Sequence, residues 1–197
     1  MANKLYEKNH EGQSVIICGS APCLMKDFTK AFIKMHSPFV IAVNESVSAV
    51  EADFLCSYHA EKFKEFKEKS LNEEVETLTA KSFRSKKEDD HVDYRFDDIV
   101  TGATSCGDAI QIADRMGFSE IVLVGAPMNG CDGYFNKTPM FQDGCARFGA
   151  ENYSKETRQL ENNQNVLVEI AMNLPNVRSM SGFTQRIFGA PEWQILI

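Results

Sequence analysis

Two side chains have the type and setting for acid–base work. His59, in "CSYHAEKF", follows a short apolar run, where an imidazole can exchange a proton near neutral pH; the alternative is a helix-start histidine bonded to backbone. Asp132, in "NGCDGYF", can serve as a base or a metal ligand, and Tyr134 beside it can bind an acceptor hydroxyl. Asn, Gly and Asp also form turns without any further role. Asn129 and Arg147 belong with Tyr134 to a candidate substrate-facing lid. Arg147 and Arg158 can close over a phosphate or remain solvated surface groups.

A second set suits phosphate and nucleotide binding. In "SVIICGSAPCLMKDF" an apolar run stops on Gly19-Ser20-Ala21-Pro22 and a helical pattern begins. Gly19 permits close backbone approach, and Pro22 suits a first helical turn, whose N–H groups and positive end favour an anion. Asn44 closes the next apolar run with one donor and one acceptor, suited to a ribose or a base edge. Thr104 and Ser105 are natural N-cap residues whose hydroxyls can equally meet phosphate, with Gly107 beside them. Two standard motifs are missing. The first loop lacks G-x-G-x-x-G spacing, and "GATSCGDA" at 102–109 has Asp108 where a P-loop needs lysine. A G-x-S-x-G elbow is also absent.

The elements that must position these residues follow from periodicity. Apolar, β-branched runs at 14–19, 39–44, 53–58, 120–125 and 177–181 predict strands. Between them, Leu24, Phe28, Ala31, Phe32 and Met35 share one helical face. Phe63 with Phe66, and Cys106, Ala109, Ala113 and Met116, mark two more helices, and a long one is expected over 152–174. Alternation of this kind predicts an α/β Rossmann-like fold, a mostly parallel sheet with helices on both faces, as a single domain over 1–197. Residues 73–100 read as a charged surface connection with one weak strand, and 128–150 as a Gly-rich lid insertion. In such a sheet the ligand lies beyond the strands' carboxyl ends, so residues 19–22, 44, 57–59, 102–107 and 126–134 form the expected rim.

Composition narrows the function. The 197-residue chain carries a net charge of −7 without a long basic block, which argues against a nucleic-acid polymer as partner. The N-terminal "MANKLYEKNHEGQ" lacks the apolar core of a signal peptide, and no apolar run approaches a membrane span, so a cytoplasmic setting is expected. The six cysteines, without CxxC pairing, read as buried or site-adjacent free thiols. A zinc site on Cys131 and Cys145 lacks two further ligands nearby. His10 and His36 read as surface residues.

"VIICGSAPCL", "FVIAVNES" and "TSCGDAIQIADRMGFSEIVLVGAPMNG" resemble a Rossmann-like family. It includes the bacterial sialyltransferases of the Campylobacter type, archaeal 6-hydroxymethylpterin diphosphokinase and motility-associated glycosyltransferases. The resemblance covers roughly residues 14–60 and 100–135, and the small size is similar to that of phage-encoded members. It implies that Gly19, Ser20, Ala21 and Pro22 face the nucleotide phosphate and sugar, that Asn44 contacts the nucleotide, and that Thr104 and Ser105 line its phosphate or base end. Cys106 replaces the glycine of the family's T-S-G, Pro127 stands where Asp is common, and no histidine follows His91 to act as the lid base.

The expected function is accordingly a nucleotide-binding transferase, using a nucleotide-sugar donor of the CMP-sugar type, with His59 or Asp132 deprotonating the acceptor. A pterin-type diphosphokinase would need ATP and Mg²⁺, for which Asp132 and Asp143 are the candidate ligands. A binding module that keeps the fold without catalysis, of phage or host, is the third reading. Homo-oligomerisation is left open.

Overall fold

A computed structural model of the chain describes residues 6, 9–81, 91–100, 104–129 and 150–195. Seven strands form one sheet: β1 (Ser14–Cys18), β2 (Phe39–Val43), β3 (Phe54–Cys56), β4 (Glu76–Lys81), β5 (Tyr94–Val100), β6 (Glu120–Val124) and β7 (Val177–Ser179). Their order is β5-β4-β3-β2-β1-β6-β7, and every neighbouring pair is parallel. The chain moves outward from β1 to β5, then returns to the other side of β1 to lay down β6. That reversal makes the carboxyl ends of β1 and β6 the topological switch point, where a ligand crevice is expected.

Helices cover both faces. On one, α1 (Leu24–Lys34) and α2 (Phe63–Glu68) pack with Ile16, Cys18, Leu55 and Val122. On the other, α3 (Ser105–Arg115), α4 (Ala150–Asn173) and α5 (Gly182–Phe188) meet Val15, Ile17, Ile41 and Leu123. A last short helix, α6 (Glu192–Ile195), brings Trp193 against the first of these clusters. Apart from Ser14 and Glu120 at the starts of β1 and β6, strands β1, β2 and β6 are apolar because both faces are covered. Among the described residues no helix is long and apolar enough to cross a membrane.

Four expectations need correction. The segment 73–100 contributes two strands rather than one. In β4, "ETLTAK", buried Thr77 and Thr79 stand where aliphatic residues would announce a strand, and their hydroxyls donate to the His91 and Ser57 carbonyls. His10 is not on the surface: it is 4% exposed, stacked on Phe118 at 4.3 Å. Its Nδ1–H donates to Gln13 Oε1 at 2.6 Å, which leaves Nε2 to accept from the Tyr6 hydroxyl. Phe32 does not share the core face of α1 but is 49% exposed. Pro22 precedes α1 by two residues, in a turn where the Leu24 amide donates to the Ala21 carbonyl at 2.9 Å.

Asp93, just before β5, fastens that edge strand. Its carboxylate accepts from the Thr77 amide and hydroxyl, both at 2.8 Å, and from Lys67 at 3.1 Å. Burial pushes the carboxyl up, but the Thr77 bonds and Lys67 outweigh it and hold Asp93 below its ordinary value. A carboxyl depressed in the folded state contributes stability above its unfolded pKa of about 3.9 and loses it as pH falls through the folded value. Asp93→Asn is expected to cost about 1 kcal/mol at pH 7 after solvent screening. In urea titrations the gap between variant and wild type should close as pH drops below about 4.

Candidate functional site

The loop after β1 holds its position through β6. The Gly19 amide donates to the Val124 carbonyl at 2.8 Å, and the Ala21 amide to the Gly125 carbonyl at 2.9 Å. Pro22 has no N–H, so the amides of Ser20 and Cys23 are the loop's remaining donors. The expected phosphate cradle is thereby half committed to the fold.

A chain of side-chain bonds stitches the rim on the β2 and β3 side. Buried Ser46 donates to the Cys18 carbonyl at 2.7 Å while its oxygen accepts from the Val43 amide at 2.8 Å, joining the ends of β1 and β2. Ser20 Oγ reaches the Val43 carbonyl at 3.4 Å. Asn44 follows in a left-handed conformation, φ 55°, and its Oδ1 accepts from Ser57 Oγ at 2.7 Å. Ser57 Oγ in turn accepts from the His59 amide at 2.9 Å. Asn44, Ser57 and His59 are therefore one connected unit, with the Asn44 amide NH₂ left to donate. The His59 ring is 45% exposed and lies 3.1 Å from Glu61 Oε1, beyond β3 and so two strands from the switch crevice.

Thr104 and Ser105 do structural work. Thr104 Oγ1 caps α3 by accepting from the Gly107 amide at 2.9 Å, and Ser105 Oγ accepts from the Tyr58 amide at 3.1 Å. They join the α3 start to the loop after β3, as the rim expectation requires, but both hydroxyls already have backbone partners.

On the β6 and β7 side lies a group that sequence reading missed. Ser181 Oγ donates to the buried Asp27 carboxylate at 2.9 Å and lies 3.6 Å from Cys23 Sγ. The Phe183 amide donates to the Pro127 carbonyl at 2.8 Å and to Asn129 Oδ1 at 3.0 Å. Arg186 stands 5.7 Å from the centre of the Phe183 ring. The available signal was "SMSGF", a Ser-Gly turn at the end of a strand like the turns already chosen. Met128 adopts φ 53°, with its carbonyl held by Gln164 Nε2 at 2.8 Å. Asn129 is exposed at the rim, whereas Cys131, Asp132, Tyr134, Asp143, Cys145, Arg147 and the Arg158 side chain lie outside the described residues.

Charge at the site differs from the expected anion seat. Asp27 stands in the first turn of α1 and Asp108 in the first turn of α3, 6% and 1% exposed. Carboxylates at those positions already match the positive helix ends. The rim presents a neutral donor, the Asn44 amide, more than cationic ones, since the Ser20 hydroxyl is directed at the Val43 carbonyl. No described thiol is a ready nucleophile. Burial, with the Asp27 charge and against the Ser181 hydrogen bond, pushes the Cys23 thiol up to about 11, and burial beside Asp108 takes Cys106 to about 12. Burial likewise raises Cys18 and Cys56. Among the described residues, no three His, Cys, Asp or Glu side chains come together as a metal site.

Fold and rim together define an α/β protein of the Rossmann-like class, with its loops gathered at the topological switch between β1 and β6. No protein-family model matches the chain, and no curated protein matches it in sequence.

Proposed function

We propose that the rim from residue 19 to 23, 44 to 46 and 125 to 129 binds a nucleotide, and that the protein is a transferase using a nucleotide-sugar donor. One observation carries this reading. Of the three non-glycine residues with positive φ among the described residues, two, Asn44 and Met128, stand on the loops flanking β1 at the carboxyl rim. Backbone held in sparsely populated conformations gathers where a site is preorganised. Asn44 then donates its amide to the ribose or base, and the crevice between β1 and β6 takes the sugar–phosphate portion. His59, whose backbone amide is fixed to Asn44 through Ser57 and whose ring meets Glu61, is the base on the acceptor side.

The buried Asp27 and Asp108 favour a second reading for the phosphate end. Two carboxylates at the two helix starts oppose a bare polyphosphate, so an ATP-dependent diphosphokinase would require phosphates brought in with Mg²⁺.

A thermal-shift panel of CMP, CMP-, UDP- and GDP-sugars and ATP, with and without Mg²⁺, separates these readings. Saturation at about 100 times the dissociation constant adds about 2.7 kcal/mol, a rise of roughly 5–10 °C for a chain of this size. Cytidine ligands acting without metal support the glycosyltransferase reading, ATP acting only with Mg²⁺ supports the kinase, and no response to any ligand removes both. Asn44→Gly is the accompanying variant. Glycine tolerates the left-handed backbone, which offsets the lost Ser57 bond, so the unliganded melting temperature should stay within about 2 °C. Affinity for the responding nucleotide should fall about tenfold, through loss of the amide donor. Equal affinity in both proteins would take Asn44 out of the site.

A further inference from the structure

We infer that the outer face of α1 docks an acidic amphipathic helix of a partner protein. The inner face of α1 is closed by buried Leu24, Ala31 and Met35. Outside, Met25 is 48% exposed, Phe32 49% and Ile33 74%. Phe28 is half-buried, with its ring centre 5.4 Å from that of Phe32. At about 100° per residue Met25, Phe28 and Phe32 form one apolar strip along the helix, and Ile33 stands at its edge, on the far side of exposed Thr29. Scattered exposed apolar residues are ordinary, but a three-residue strip flanked by a fourth exposed aliphatic on one helix marks a surface meant to be covered.

Charge identifies the cover. Lys26, Lys30 and Lys34 occupy i, i+4 and i+8 and line the Ile33 side of the strip as a row spaced about 6 Å apart. All three are exposed, and none pairs with a carboxylate among the described residues, whose ion pairs lie on other elements. A chain of net charge −7 thus keeps an uncompensated basic row beside an apolar strip. A helix lying alongside, apolar at i, i+3 and i+4 with carboxylates at i and i+4, matches both in one register. A second copy docking α1 on α1 would bring two lysine rows together. An anionic bilayer would be opposed by the remaining negative charge, and one helix of 11 residues offers it little area. The inference does not depend on what the rim binds.

The test uses fluorescence anisotropy with the full chain and two labelled synthetic helical peptides about as long as α1. They share one leucine stripe, and one carries a glutamate row where the other carries a lysine row. The acidic peptide should bind saturably and the basic one should not. Lys26→Glu with Lys30→Glu and Lys34→Glu should weaken the acidic peptide at least about tenfold, and Ile33→Ser should weaken it comparably. Unchanged melting of Ile33→Ser, at a site already mostly in solvent, shows that folding is intact. Equal binding of both peptides, or none up to about 1 mM, overturns the inference. So does Ile33-dependent flotation with phosphatidylcholine–phosphatidylserine vesicles (roughly 7:3), which makes the face a lipid surface. Ile33-dependent dimerisation would overturn it in favour of a second copy.

Discussion

Gly182→Ala should lose about 2–5 kcal/mol of stability, among the largest effects expected of a single methyl added at the described glycines. Two costs combine. Gly182 has φ 69°, where an L side chain costs about 1–2 kcal/mol. A Cβ there would also overlap Pro127, 2.5 Å from its carbonyl oxygen and 2.7 Å from its Cα. Those atoms are backbone and cannot rotate away, so the loop after β7 must move off the loop after β6, at about 1–3 kcal/mol. Moving it also strains the Phe183 amide bond to the Pro127 carbonyl and the three contacts of the buried Thr184 hydroxyl, with Ala126, Ser181 and Ser179. Gly12→Ala is the control, since Gly12 has φ 76° but nothing within 4 Å of a Cβ. Equilibrium urea unfolding of both isolates the packing cost. If Gly182→Ala loses no more than Gly12→Ala, the β7 loop is not seated on Pro127 and the rim ends at β6.

The central sheet was readable because β1, β2 and β6 are buried on both faces and spelled in aliphatic residues, as parallel strands must be. The outer strands were not. β4 places Thr77 and Thr79 inside, and only the partners of their hydroxyls make that burial tolerable. Those partners, Asp93, His91 and Ser57, are distant in sequence, so a local window reads polarity and reports a loop. β5, "YRFDDIV", alternates correctly at Tyr94 and Phe96, but its charged outward residues merge with the acidic run before it. On α1 the spacing rule selected Phe32 with Leu24, Ala31 and Met35, although periodicity cannot distinguish a core stripe from one kept for a partner.

The site was legible to the extent that a parallel sheet gathers its loops at one edge. Residues after β1, β2, β3 and β6, and at the start of α3, meet there because topology requires it. What most polar side chains do there was not legible, the Thr104 cap of α3 apart. Ser105 and Ser46 spend their hydroxyls on backbone groups of neighbouring loops, bonds fixed by strand order rather than by local sequence, whereas Thr104 and Ser57 accept from amides two or three residues away. Asp27 was hidden as one polar residue in an amphipathic helix, since its partner Ser181 lies 154 positions away.

Gly19→Ala completes the argument about the first loop, because this glycine is needed for space rather than for conformation: its φ is not among the positive ones. A Cβ on Gly19 would run into the Gly125 carbonyl oxygen and stand 2.9 Å from Ala126 Cβ. Across the gap, a Cβ on Gly125 would lie 2.8 Å from Leu24 Cβ and 3.0 Å from the Gly19 oxygen. Two facing glycines thus let the ends of β1 and β6 approach until the Gly19 and Ala21 amides bond to Val124 and Gly125. A methyl group at Gly19 must widen that approach, costing about 2–4 kcal/mol through overpacking and strained hydrogen bonds, or roughly 4–16 °C in melting temperature. The same widening deforms the floor of the crevice, so nucleotide binding should weaken together with stability. That coupling separates Gly19 from Asn44, where binding should fall while stability holds. A Gly19→Ala protein that is less stable yet binds the responding nucleotide unchanged would mean that the loop only anchors β1 to β6, with the ligand seated toward Asn44.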